Sequence, residues 1–197
     1  MAASKTSIIN KALTLVGALA VTSIDDDSQN ARTVRKIYEI DLRSILSECK
    51  WNFATKRLLL SLSADTLDWY DTGEGVVYVR PTDIIKIFET NNVKARWREE
   101  GDYIISDTSE LGIRYVYFHD DPAKYPGLFV DAFVDKLASS FAYEIVNSAT
   151  LGERYLTKYE NISLPKATSA NSQVGYQQTI IDDAWELSKY HNNATEA

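Results

Sequence analysis

The sequence predicts an α+β protein: an antiparallel helical bundle body, a β-rich insertion within it and an extended C-terminal arm. Three observations predict this. Apolar residues recur every three or four positions from Ala31 to Cys49 and again from Phe129 to Ile145. Between these stretches the period shortens to that of strands, punctuated by glycine and polar turns. Beyond Asn171 polar residues dominate. The segments that result are a helical body in two parts (residues 1–56 and 122–175), the insertion (57–121) and a docking arm (176–197). A length of 197 residues exceeds one typical domain of about 100 to 150 residues and falls short of two, as one core with a large insertion would.

Ser7 is placed to cap a first helix in which Ile8, Ile9, Ala12, Leu13 and Val16 share a face, and Gly17 offers its exit. The run Asp25-Asp26-Asp27 then precedes the most clearly amphipathic helix, carrying Ala31, Val34, Tyr38, Leu42, Ile45 and Cys49. Carboxylates there suit the positive end of a helix dipole and read as capping groups, while Arg32, Arg35, Lys36, Glu39 and Arg43 form a solvated face. After Trp51-Asn52-Phe53, short β-type runs cover 58–60, 76–79, 84–88, 93–97, 103–105 and 113–118. Turns at 71–75, 90–92, 99–102 and 109–112 separate them. Pro81 has no amide hydrogen to donate and belongs at a strand end or edge.

Helical period returns with Phe129, Phe133, Leu137, Phe141 and Ile145, with Asp131, Asp135 and Ser139 on the expected wet face. This helix is expected to pack on the one starting near Ser28 and to form the main core with it. A further helix is expected over 153–162, kinked or ended by Pro165.

Composition narrows the functions available. Apolar residues make up 45% and charged ones 25%, which suits a soluble globular chain with a core. With 21 Lys plus Arg against 28 Asp plus Glu, the net charge of -7 disfavours tight binding to phosphates. One cysteine excludes a disulfide framework and a cysteine-based zinc site. Neither a secretion signal nor an apolar run long enough for a membrane span is read from the sequence, and two sequons, at Asn161 and Asn193, are discounted accordingly.

Candidate chemistry is sparse, and no cofactor is expected. His119 and His191 are the only imidazoles; His119, beside Asp120 and Asp121, reads as part of a solvated turn. A calcium loop starting at Asp25 would need glycine and glutamate where Asn30 and Lys36 stand. Asp65, Asp68, Asp71 and Glu74 are too dispersed to define the carboxylate pair of a glycosidase, although sequence alone leaves that reading open. No phosphate-binding loop, nucleophile elbow or zinc-binding helix motif occurs. What stands out is the aromatic content of 11%. Large rings with polar tips suit interfaces, and the interface candidates are Trp69, Tyr70, Trp97, Tyr125, Tyr176 and Trp185, with Ile180 and Ile181 in the arm. The arm is expected to order on a neighbouring subunit.

The order of features resembles that of the head-to-tail adaptors, or tail tubular protein A, of short-tailed bacteriophages. The likeness runs through Ile9-Asn10-Lys11-Ala12-Leu13 with Gly17, the acidic turn before Ala31 and the long helix closing in Trp51-Asn52-Phe53-Ala54. It resumes at the Pro126 turn, the Leu128 to Val146 helix and Tyr159-Glu160, and thus covers most of residues 7–162. Pro165 departs from the pattern, which would continue there as an alanine-rich helix. The resemblance implies a structural virion protein without catalysis, assembled in the host cytoplasm. It would form a twelve-subunit ring between portal protein and tail nozzle protein, with genomic DNA passing through the channel without specific binding. The alternatives are a carbohydrate-active tail enzyme and a connector of long-tailed phages.

Overall fold

The computed structural model describes residues 3–70 and 75–174. Helix α1 (Lys5–Leu15) starts at Ser4 and not at Ser7. The Ser4 hydroxyl accepts from the Ser7 amide at 3.1 Å and the Ser7 hydroxyl accepts from the Ser4 amide at 2.9 Å, a reciprocal cap that satisfies two otherwise orphan donors. The expected Ser7 cap is therefore the second half of a box begun three residues earlier. Gly17 does provide the exit, with φ of +72° that a side chain would strain. Asn10 fastens the chain beyond it, because its amide donates to the Val21 carbonyl and accepts from the Val21 amide, both at 2.9 Å.

Helix α2 (Gln29–Glu48) is capped by Ser28, whose hydroxyl accepts from the Ala31 amide at 3.3 Å. This corrects the assignment of capping to the acidic run: Asp27 instead pairs with Arg32 at 2.7 Å. The polar face is also less idle than solvation implies. Arg35 donates to the Ile24 carbonyl at 3.0 Å and so holds the incoming loop against the helix. At the far end the Trp51 indole donates to the Ile45 carbonyl at 2.8 Å, satisfying a group the helix terminus leaves open.

The insertion opens with β1 (Thr55–Leu59) and continues through β2 (Val76–Val79), β3 (Ile84–Thr90), β4 (Trp97–Glu100), β5 (Tyr103–Ser106) and β6 (Gly112–Tyr117). They form two three-stranded antiparallel sheets, ordered β1-β6-β3 and β2-β5-β4. Tyr78 and Ile104 from one sheet meet Ile84, Ile87, Ile113 and Tyr115 from the other, with Leu60 and Leu111, in a small core of their own. Strand period does the rest: Tyr115 points into that core, whereas its neighbour Val116 points the other way and joins the helical core. Pro81 lies between β2 and β3, as its missing donor requires. The expected strand from Val93 begins only at Trp97; Val93 is fully exposed in the preceding turn.

Helix α3 (Gly127–Glu144) is the centre of the body. Phe129, Phe133, Leu137 and Phe141 are buried as the spacing predicts, but so are Asp135 and Ser139, which corrects their assignment to a wet face. The reason is that α1, α2 and a third neighbour, α4 (Ala149–Lys158), surround α3, so the core is not a two-helix seam. Asp135 accepts from Lys158 at 2.8 Å and from the Ser163 hydroxyl at 2.5 Å, and Ser139 donates to the Gly152 carbonyl at 3.0 Å. A side chain at Gly152 would run into the Tyr143 ring, so glycine sets the close approach of α3 and α4.

Pro165 neither ends nor breaks the last helix. Helix α4 runs through one wide π turn (Tyr159–Ser163), in which the Leu164 amide reaches back to the Tyr159 carbonyl, into α5 (Leu164–Gln173). Pro165 falls in the first turn of α5, where its missing amide hydrogen is tolerated. No described helix is long and apolar enough to cross a membrane.

Candidate functional site: a buried polar joint and exposed apolar groups on the insertion

The chain passes from β6 into α3 through Phe118, His119, Asp120, Asp121 and a short 3-10 turn (Pro122–Lys124). Asp121 caps that turn by accepting from the Ala123 amide at 3.2 Å, and Pro122 presets its backbone. The reading of His119 as part of a solvated turn is overturned, because it is only 5% exposed. Its ring sits among Phe53, Tyr117 and Tyr125, with centroids 5.9, 5.0 and 5.9 Å away. Nδ1 shares a 2.6 Å hydrogen bond with the Tyr117 hydroxyl, and Tyr125 donates to the His119 carbonyl at 2.7 Å.

Lys5 forms an ion pair with Asp120, tying the start of α1 to the same joint. Burial lowers the His119 pKa below its usual value, and nearby Lys124 adds to the shift, so the ring is neutral near pH 7. The phenols of Tyr38 and Tyr125 are pushed far up, first by burial, then by the Asp120 carboxylate for Tyr38 and by Tyr38 for Tyr125. Both phenols therefore stay protonated near pH 7. What the arrangement does is pin the insertion to the body at a point where two cores meet. Among the described residues no three His, Cys, Asp or Glu side chains are grouped to hold a metal ion.

The interface candidates separate. Trp69 is 67% exposed and Tyr70 lies beside it, its hydroxyl accepting from the Leu67 amide at 3.2 Å. Their loop is not loose at its base: the Ser63 amide donates to the Val77 carbonyl at 2.8 Å, and the Tyr103 hydroxyl donates to Asp65 at 2.9 Å. Trp97 is half-buried on β4, against the insertion core. Tyr125 is corrected from an interface residue to a core one, since it is buried within the chain and packs on Phe129 at 5.0 Å. Tyr176, Ile180, Ile181 and Trp185 lie outside the described residues.

The sequence reading missed three leucines. Leu59 and Leu62 are more than half exposed and Leu58 nearly so, all in or just after edge strand β1. The signal was present, because in Leu58-Leu59-Leu60 the period of two cannot turn consecutive side chains to one face. Beside them Arg57 lies opposite Arg114, whose guanidinium is taken by Glu89 at 2.6 Å. Strand β1 thus presents a partly apolar, cationic edge. Set against known protein families and curated proteins, the chain matches no family model and no curated sequence.

Proposed function

We propose that this chain is a structural subunit of a short phage tail, a head-to-tail adaptor that joins portal protein to tail nozzle protein as a twelve-subunit ring. The single observation that carries the reading beyond the resemblance is the apolar surface on the insertion. Leu59, Leu62 and Trp69 are exposed on a folded, tethered unit, as expected of side chains that become covered in an assembly. Among the described residues, the one imidazole, His119, is fixed in the joint between insertion and body. An excess of acidic side chains suits a conduit, because it repels a polyanion and lets DNA slide through without specific binding.

Alone, the chain meets the full entropic cost of association and stays monomeric; portal acts as the template. The test is a pair of variants, Trp69→Ala and Leu62→Ser. Both are expected to weaken assembly with portal or nozzle while leaving thermal unfolding within the small range of surface substitutions. Unchanged assembly with both partners contradicts the role given to this surface. Release of reducing ends from host surface polysaccharide, abolished by one Asp or Glu substitution, would establish the carbohydrate-active alternative instead.

A further inference from the structure

A groove of about 540 Å³ opens between the N-terminal end of α3 and the C-terminal end of α5. Its walls include Trp51, Phe53, Leu128, Phe129, Ala170 and Val174, and among the described residues no charged side chain lines it. The groove is held in shape by one residue: Asn171 donates to the Lys50 carbonyl at 2.7 Å and accepts from the Asn52 amide at 2.9 Å, while Asn52 donates to the Asn171 carbonyl at 2.7 Å. These bonds clamp α5 to the turn after α2, so the site is preformed. Val174, on its rim, is 80% exposed and is the last described residue.

The chain therefore arrives at the mouth of an apolar groove and continues as Gly175-Tyr176-Gln177-Gln178-Thr179-Ile180-Ile181, a run without charge that ends at Asp182 and Asp183. We propose that this groove is the docking site of the chain's own residues Tyr176–Ile181, which seat Tyr176 and the isoleucines on Trp51, Leu128 and Phe129. Three observations select this occupant. An uncharged groove matches an uncharged segment bounded by acids. Its volume is of the order that a few side chains fill. The covalent connection at Val174 gives this segment an effective concentration that no free partner has. The inference stands apart from the proposed assembly role, and it leaves Trp185, beyond the acids, to a partner.

Photo-cross-linking of the full chain tests it. Leu128→p-benzoylphenylalanine places the reactive group on the groove rim, at a side chain that is already half exposed. Irradiation is expected to link position 128 to a peptide within 176–181 of the same chain. Ala170→Glu, which puts a charge into the wall, and Tyr176→Ser, which removes the ring from the segment, are each expected to lower that yield at least severalfold. Links confined to other segments, links between chains that vanish on dilution, or a yield indifferent to both substitutions overturn the proposal.

Discussion

Lys158 Nζ sits 2.8 Å from Asp135 Oδ1 in an ion pair whose acidic side chain is 4% exposed and whose basic one is 46% exposed. The pair is therefore asymmetric. Removing the lysine leaves a buried carboxylate with only the Ser163 hydroxyl, whereas removing the carboxylate leaves an ammonium that water can reach. Lys158→Ala is expected to cost about 3 to 5 kcal/mol, the range for orphaning a buried charge, and Asp135→Asn about 1 to 3 kcal/mol. Urea unfolding of both variants checks the order; a cost for Lys158→Ala no larger than that for Asp135→Asn would contradict the asymmetry.

Phe133 and Phe141 face the centre of the body and are wholly buried. Truncating either to Ala is expected to cost about 3 to 5 kcal/mol through lost transfer energy and the cavity left behind. Asp131, on the exposed face of the same helix and paired with Lys11 at 2.7 Å, is expected to change stability by no more than about 1 kcal/mol when replaced by Ala. A loss below about 1 kcal/mol at either phenylalanine would remove it from the core.

Gly152→Ala is expected to destabilise by about 1 to 3 kcal/mol, because the new methyl group meets the Tyr143 ring. Tyr143 is half exposed and can be cut away. In the Tyr143→Ala background the same substitution should cost less than about 1 kcal/mol, and a double-mutant cycle measures the difference. An undiminished cost would place the clash elsewhere.

Stability is expected to fall on mild acidification. The folded pKa of His119 lies below its ordinary value of 6.5, so the unfolded chain binds the proton more readily. The contribution is complete above 6.5 and is lost as pH falls through that value toward the folded one. Asp120 and Asp121 oppose the shift while Lys124 and Lys56 support it. Burial raises the Asp41 pKa, which acts in the opposite sense at lower pH: its contribution is present below the ordinary 3.8 and is lost as pH rises through the folded value. The difference in midpoint between wild type and His119→Asn, followed from pH 7.5 to about 5, isolates the histidine. A constant difference would show that the ring titrates freely.

Much of this architecture was legible because single periods dominate its elements. Of the eleven positions that mark the two helical faces, Ala31, Val34, Tyr38, Leu42, Ile45, Phe129, Phe133, Leu137 and Phe141 are buried, and Cys49 and Ile145 are partly so. Strand β2 falls where the sequence places it. What the sequence hid depends on a third partner. Asp135 and Ser139 look solvated until α4 covers them, and their burial is balanced by Lys158, Ser163 and Gly152, residues with no periodic relation to α3. Pro165 misleads for a related reason, since the π turn that accommodates it leaves no mark in composition. His119 is read as solvated because Asp-Pro follows it, yet burial there is decided by Phe53 and Tyr117, one of them far away in sequence.

The central claim is the adaptor role, and weighing the complex tests it most directly. Purified chain mixed with assembled portal at low and moderate salt, and measured by native mass spectrometry, is expected to give one chain per portal subunit in a single closed species, as a ring joined to a ring requires. Two species that stay separate at both salt concentrations, with the chain still monomeric, would contradict it.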